Sequence, residues 1–449
     1  MHLIYLVYKR FSDTFQATVL LLAPVGLMVG SDLLHLPWGI NLLIGWAGII
    51  VVLTNVFRRT SVPTQQKRLR RLSQGVFALQ QFLIGFAALA VCLIVLISLR
   101  GIQSVILYSL YSAGVLFLLF WSGITLVYVS SVQLGIRYRV VGLLCGWIIG
   151  VNIVVLLKII EICSKEIHDE FELEEYGNVA ALTQDCATVY PILLVHGVFF
   201  RDMKYLNYWG RIPKFLKQAG ARIEYGEQES AASIEVCGEQ LAQRIKAITE
   251  KYQCEKVNII AHSKGGLDSR YAISQCGAAP YVASLTTINT PHNGCIFANY
   301  LLKNAPKSWV KQLGRSYNRL FRKMGDQHPD FLGAVNALTD ESCAALNPDM
   351  PDQSGVFYHS VMSYVNRASS GRFPLNVTYP LVKHFDGQTD GLVSVTSAQR
   401  WENYTVIKPP ANRGISHADM IDLNRENIKG FDVRLFYKEL VMHLKEIGF

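Results

Sequence analysis

Apolar residues fall in long unbroken runs over the first third of the chain and in short runs afterwards. Five long runs stand out, at 14–30, 38–56, 76–98, 104–130 and 138–160. Each approaches the ~20 residues that an α-helix needs to cross the hydrocarbon core of a bilayer. The first is the shortest and contains Pro24. The fourth sits in a stretch without charge from Gly101 to Ile136, too short for two crossings. The pattern predicts an all-α module of about five transmembrane helices over residues 1–160.

From Tyr190 onward the period changes. The segments 191–195 (PILLV), 221–226, 256–260 (KVNII), 283–289, 356–362 and 404–408 read as strands, with helices expected over 208–219, 232–252 and 265–276. Continuous β-branched strands separated by amphipathic helices predict an α/β domain over 189–449, a mostly parallel sheet covered on both faces. Between the two parts lies an acidic stretch, 161–188, with Glu166, Asp169, Glu170, Glu172, Glu174 and Glu175. A charge run of this kind predicts a solvated linker.

Composition sharpens the division. With 51% hydrophobic and only 17% charged residues, the 449-residue chain is no ordinary soluble enzyme, for which about 25% charged is usual. Residues 1–160 hold 12 Lys/Arg and 2 Asp/Glu, leaving 31 against 32 in residues 161–449, so the net +9 belongs to the apolar module. Nucleic acid is excluded as a partner, because the positive charge does not lie on a soluble face. Lys9 and Arg10, the six bases from Arg58 to Arg71, and Arg137 with Arg139 mark the cytoplasmic ends of the runs. An odd number of crossings then places the C-terminal domain on the extracytoplasmic side. The runs carry no mid-span ionisable pair of the kind a transporter uses, so the module reads as an anchor. The six cysteines after residue 180 have no zinc-ligand spacing; disulfides and buried thiols both remain open.

Chemistry concentrates at two strand ends. KVNII runs into Ala261-His262-Ser263-Lys264-Gly265-Gly266 and then a helix. A serine on a tight strand-to-helix turn is a nucleophile elbow, with small neighbours because strand and helix approach closely there. Ala261 stands where glycine is usual. The first strand ends in Val195-His196-Gly197-Val198, which places the Val198 N–H, with that of Lys264, as oxyanion donors. His196 reads as a structural loop residue, and the Lys264 side chain as solvent-exposed. An acid and a base should follow in that order. Asp390 in Thr389-Asp390-Gly391 is the candidate acid, with Asp386 as competitor. His417 in Ser416-His417-Ala418 is the candidate base, ahead of His292, His328, His359, His384 and His443.

These residues resemble the bacterial triacylglycerol lipases of the α/β-hydrolase superfamily, over a match from Tyr190 to the C-terminus. Tyr190–Gly197 looks like the family's opening strand and oxyanion loop, and Val257–Gly266 like its nucleophile segment. Thr290-Pro291-His292-Asn293-Gly294 resembles its Pro-His-x-Gly turn. Leu338-Thr339 through Asn347 resembles the segment before its next strand, and Asp390–Val393 its acid loop. The resemblance implies an α/β-hydrolase fold, a Ser263–Asp390–His417 triad and a Val198/Lys264 oxyanion hole. It implies hydrolysis of lipid carboxylic esters with no required cofactor. Many such lipases hold a structural calcium near the catalytic histidine, for which Asp419 and Asp422 are the candidate ligands; capping or surface aspartates are the alternative. The resemblance does not extend to residues 1–160.

A membrane-anchored lipase or esterase acting on lipid is thus expected, with no protein partner deducible. The alternatives are an acyltransferase or thioesterase using the same triad, and a non-catalytic lipid-binding scaffold. A candidate lid spans 296–336. Within it Trp309, Leu313, Tyr317, Leu320 and Met324 recur at helical spacing opposite a row of bases, the pattern of an interfacial helix.

Overall fold

A computed structural model describes residues 2–58, 62–101, 105–148, 150–198, 208–327, 329–408 and 412–449. The side chains of 2–10, Arg100, Trp309 and Met324 lie outside the described residues, as does all of His328. The chain forms two compact units, Met1–Tyr176 and Gly177–Phe449.

The first unit is helical: α1 (His2–Leu33), α2 (Trp38–Arg58), α3 (Lys67–Arg100), α4 (Ile106–Ser130), α5 (Gly135–Cys145) and α6 (Val151–Thr183), the last continuing past the division. Four helical segments, Phe11–Leu33, Trp38–Arg58, Lys67–Leu99 and Ile106–Ser130, are long and apolar enough to cross a membrane. Leu21 and Val25 of α1, Val52 of α2, Phe77 of α3 and Tyr108, Val115 and Leu119 of α4 form their shared core. Leu43, Trp46, Phe86, Ile94 and Phe117 point outward, as lipid-facing residues do. Glycine sets the closest crossing. A Cβ on Gly75 would come within 3.0 Å of the Gly123 carbonyl, and one on Gly123 within 3.1 Å of the Gly75 carbonyl. Small residues let α3 and α4 approach this closely.

The expected fifth crossing over 138–160 is not a single helix. α5 ends at Cys145, Gly150 takes a positive φ of 86°, and α6 restarts at Val151. Glycines at 142, 146 and 150 supply the weakness that an apolar count does not register. The acidic stretch is likewise helical through Thr183. Glu166 is buried, accepting from the Ser131 hydroxyl and the Val132 and Gln133 amides and pairing with Arg68. Glu174 accepts from Thr64 and the Gln65 amide. These carboxylates hold the turns between helices, and only part of the run is solvated.

The second unit contains β1 (Ile192–Val195), α7 (Ile212–Gln218), β2 (Ile223–Tyr225), α8 (Ile234–Tyr252), β3 (Val257–His262), α9 (Lys264–Ser274) and β4 (Val282–Ile288). It continues through α10 (Ile296–Asn304), α11 (Lys307–Met324), α12 (Phe331–Asn336), α13 (Asp340–Leu346) and β5 (Phe357–Ser363). The last elements are α14 (Leu375–Asp386), α15 (Val395–Ala398), β6 (Tyr404–Ile407) and α16 (Val433–Glu446). The six strands are parallel, in the order β2-β1-β3-β4-β5-β6, at the positions expected from the apolar runs. Side chains alternate along β1. Ile192 and Leu194 enter a core with Ile212 and Leu216 of α7 and Tyr437 and Val441 of α16. Leu193 and Val195 enter the opposite core with Leu241 and Ile245 of α8 and Ile273 of α9. Period two within a strand thus builds two cores on one sheet.

Candidate active site

Ser263 stands between β3 and α9, with φ 55° and ψ −131°. A non-glycine residue at positive φ is strained and is held only by its surroundings. Here the Ser263 N–H donates to the Ile288 carbonyl at 2.9 Å, and the Thr290 hydroxyl donates to the Ser263 carbonyl at 2.8 Å. The turn is tight because a Cβ on Gly265 would lie 2.4 Å from the His196 carbonyl oxygen of the neighbouring strand end. Lys264 opens α9, so its amide is among the helix's unpaired N-terminal donors. Gly197 faces Ser263 so closely that an added Cβ would lie 2.8 Å from the serine Cβ. Val198, the other expected oxyanion residue, follows directly in a half-buried turn.

Asp390 is fully buried in the turn before α15. Its Oδ1 accepts from the Leu392 and Val393 amides, each at 2.8 Å. Its Oδ2 accepts from His417 Nδ1 at 2.7 Å and from Asn289 Nδ2 at 2.6 Å. The His417 ring lies 4.4 Å, centroid to centroid, from that of His262, the residue before Ser263. Strand end, acid loop and histidine loop therefore converge. The competitor Asp386 is engaged elsewhere, accepting from the Ile296 and Phe297 amides at the start of α10 at 3.1 and 3.2 Å. His292 is buried against the Thr287 hydroxyl and the Trp401 ring.

Two contributors, and the side-chain placement of a third, escaped the sequence reading. Tyr208 accepts from the Gly197 amide at 3.1 Å and meets His262 Nδ1 at 2.7 Å, tying the loop after β1 to the end of β3. Burial and the neighbouring His417 hold His262 far below the usual imidazole range, which keeps it neutral. Asn289 ends β4 at φ 49°, an angle asparagine tolerates, and braces Asp390 while also bonding Ser363. No single-residue motif marks either Tyr208 or Asn289.

Lys264 is the third. Its side chain is not solvent-exposed as expected but buried, 2.6 Å from Asp268 and 3.5 Å from the Cys237 thiol. Burial pushes Asp268 up to about 6 even with the ammonium beside it. The i, i+4 spacing is legible in the sequence, but the burial of both side chains is not. His196 is structural, its ring nitrogens meeting the Gly197 and Gln228 carbonyls.

The calcium candidates do not fit a cation. Arg413 holds Asp419 at 2.8 Å, and Arg211 holds Asp422 at 2.8 Å. The described residues contain no cluster of three or more potential metal ligands. All nine cysteines are free thiols. In the candidate lid, α11 packs Phe321 against Ala231 and Phe331, and Tyr317 stacks on Phe331 at 4.5 Å. Asp326 anchors its end through the Ser230 and Ala231 amides at 3.0 and 3.3 Å.

A parallel sheet with a serine on a strand-to-helix turn, and an Asp–His pair drawn to the same edge, is the layout of an α/β-hydrolase. Residues 191–347 match the family described as palmitoyl protein thioesterase. The chain is 34% identical over 187 residues to a triacylglycerol lipase of Burkholderia plantarii, covering 38% of this chain and 51% of that protein. It is 32% identical over 295 residues to a triacylglycerol lipase of Pseudomonas fragi, covering 58% of this chain and 98% of that protein. The chain spans about half the length of several of these curated relatives. Among solved structures, the mature Bacillus licheniformis lipase BlEst2 is similar with a TM-score of 0.43 at 20% identity, covering 58% of this chain and 93% of that one. The chain belongs to the α/β-hydrolase superfamily, among its lipases and esterases.

Proposed function

We propose that the protein is a membrane-anchored serine hydrolase that cleaves fatty-acyl esters of lipids through an acyl-serine intermediate. The observation that carries this reading is the buried His417–Asp390 hydrogen bond beside the strained turn bearing Ser263. His417 takes the Ser263 proton as the hydroxyl attacks the ester carbonyl. Asp390 fixes the imidazole tautomer and stabilises the imidazolium. The Val198 and Lys264 amides receive the developing oxyanion, at about 3–4 kcal/mol per donor. His417 then protonates the leaving alcohol, and a water deprotonated by the same imidazole releases the acid.

The match to a thioesterase family over residues 191–347 favours a second reading, acyl-thioester cleavage by the same groups. Purified full-length protein offered a long-chain oxyester lipid and the corresponding acyl thioester separates the two. Preferential turnover of the oxyester supports the lipase reading, and thioester preference replaces it with the second. Turnover of neither, with no covalent labelling of Ser263 by a fluorophosphonate, would overturn both.

We infer the side of the membrane from the parity of the crossings. The extracytoplasmic expectation depends on a fifth crossing, and four crossings return the chain to its starting side. The basic segments 58–71 and 137–139 then both face the cytoplasm, in keeping with the positive-inside rule. We therefore place the hydrolase unit on the cytoplasmic side. Protease added to intact cells should leave residues 177–449 uncut and digest them only after lysis. Digestion in intact cells would restore the fifth crossing.

A further inference from the structure

Helix α11 has a charge pattern that neither the fold nor the proposed chemistry requires. From Ile296 to Gly325 the chain has seven bases and no acid, whereas the rest of residues 161–449 holds 24 Lys/Arg against 32 Asp/Glu. Lys303 of α10 is paired with Glu341. The other six, Lys307, Lys311, Arg315, Arg319, Arg322 and Lys323, are all exposed on α11, and none has an ion-pair partner among the described residues. At 100° per residue they share one arc of the helix. The opposite arc is turned inward through Leu313, Gly314 and Phe321, which pack against α12 and Ala231.

An isolated row of like charges repels itself, so leaving six bases uncompensated on one helix is unfavourable unless something outside the unit neutralises them. Exposed apolar side chains lie on α11 itself and on α10, the helix before it in sequence. Leu320 is half exposed, and Ile296, Tyr300 and Leu301 of α10 are exposed beside it in sequence. α10 in turn packs against α14, whose Val377 and Leu381 also face outward. Bases next to exposed apolar residues suit a surface that is anionic outside and greasy beneath. The same chain carries four helices long and apolar enough to cross a bilayer, so a lipid surface is the partner of this chemistry that the chain itself points to.

We propose that the basic face of α11 docks on anionic phospholipid headgroups, with the exposed side chains of α10 and α14 resting at the acyl boundary. The occupant is the bilayer itself rather than a nucleic acid or an acidic protein. Docking would orient the unit on the membrane, and it does not depend on which acyl bond Ser263 attacks.

The test uses the full-length protein in nanodiscs of phosphatidylcholine, with and without phosphatidylglycerol. Exposed lysines are labelled with an amine-acylating ester and read by mass spectrometry. In the anionic discs, labelling of Lys307, Lys311 and Lys323 should fall by about tenfold, while Lys246 on α8 is unchanged. Raised salt should restore it. The triple variant Arg315→Gln, Arg319→Gln, Arg322→Gln should regain most of the labelling in anionic discs, with fluorophosphonate reactivity retained as evidence of folding. Equal labelling in both lipids would overturn the proposal. So would protection that appears in phosphatidylcholine alone, which would mean apolar docking without charge recognition.

Discussion

Replacing Ser263 with Ala is expected to lower hydrolysis by about 10⁴-fold or more, with the protein still folded, because the proposed mechanism assigns the nucleophile to Ser263. His417→Ala should cost a similar factor, and the two losses should not add, since each residue works only through the other. The acid separates two carboxylates that look alike in sequence. Asp390 meets His417 at 2.7 Å, whereas Asp386 spends both oxygens on amides at the start of α10. Asp390→Asn should therefore reduce kcat by about 10⁴-fold, through the wrong imidazole tautomer. Asp386→Asn still presents an oxygen to α10 and should stay near wild type, at a stability cost of about 1 kcal/mol or less. Steady-state kinetics of the four variants on one soluble ester decide the matter. A larger loss from Asp386→Asn than from Asp390→Asn would remove Asp390 from the mechanism.

Gly265→Ala is expected to be strongly damaging for the change of a single methyl. The new Cβ would meet two backbone oxygens of the first strand's end, His196 at 2.4 Å and Val195 at 2.9 Å. A flexible side chain could step aside, but these oxygens belong to a strand paired through Val195 with Ala261 of β3. Relief requires parting β1 from α9, so overpacking should cost about 3 kcal/mol. It should also part the two amides that the proposed mechanism aims at the oxyanion, those of Val198 and Lys264, so residual activity should drop beyond what the lost folded fraction explains. Ala261→Gly is the contrasting change, losing one buried methyl and some backbone rigidity, and should cost about 1–2 kcal/mol without harming kcat. Thermal unfolding of both variants in detergent, read beside their kinetics, tests this. An unchanged Gly265→Ala melting temperature would mean that the elbow is looser than its backbone contacts imply.

Much of the architecture is carried by local pattern. The six strands lie at their apolar runs because a buried parallel strand needs side chains fit for both cores, and Ile192 to Val195 supply them in alternation. Of the five crossings expected from length and hydropathy, four are helices long and apolar enough to cross a membrane. The break near Gly150 is not legible that way, because an apolar count weights glycine as neutral while the backbone treats it as a hinge. The same limit applied at Glu166, which charge alone places in water. Its burial depends on two amides, a hydroxyl and Arg68 arriving from distant turns.

The site divides along the same line. Ser263 was legible because its turn is local: one strand, one sharp residue, one helix, with small neighbours forced by close approach. Asp390 is preferred over Asp386 from its place in the sequence, but both are aspartates before a glycine, and only folding sets one beside a histidine and the other at a helix end. Tyr208 and Asn289 carried no signal, because hydrogen-bond partners far apart in sequence are chosen by the packing of β1, β3 and β4. The buried pair of Lys264 and Asp268 makes the point most plainly. Their spacing is a surface pattern on any helix, and it became an interior one because α9 lies against the sheet. Sequence determined which segments could be strand, span or elbow, through interactions reaching a few residues. Tertiary structure alone decided which polar groups left water together, because desolvation depends on everything that packs around them.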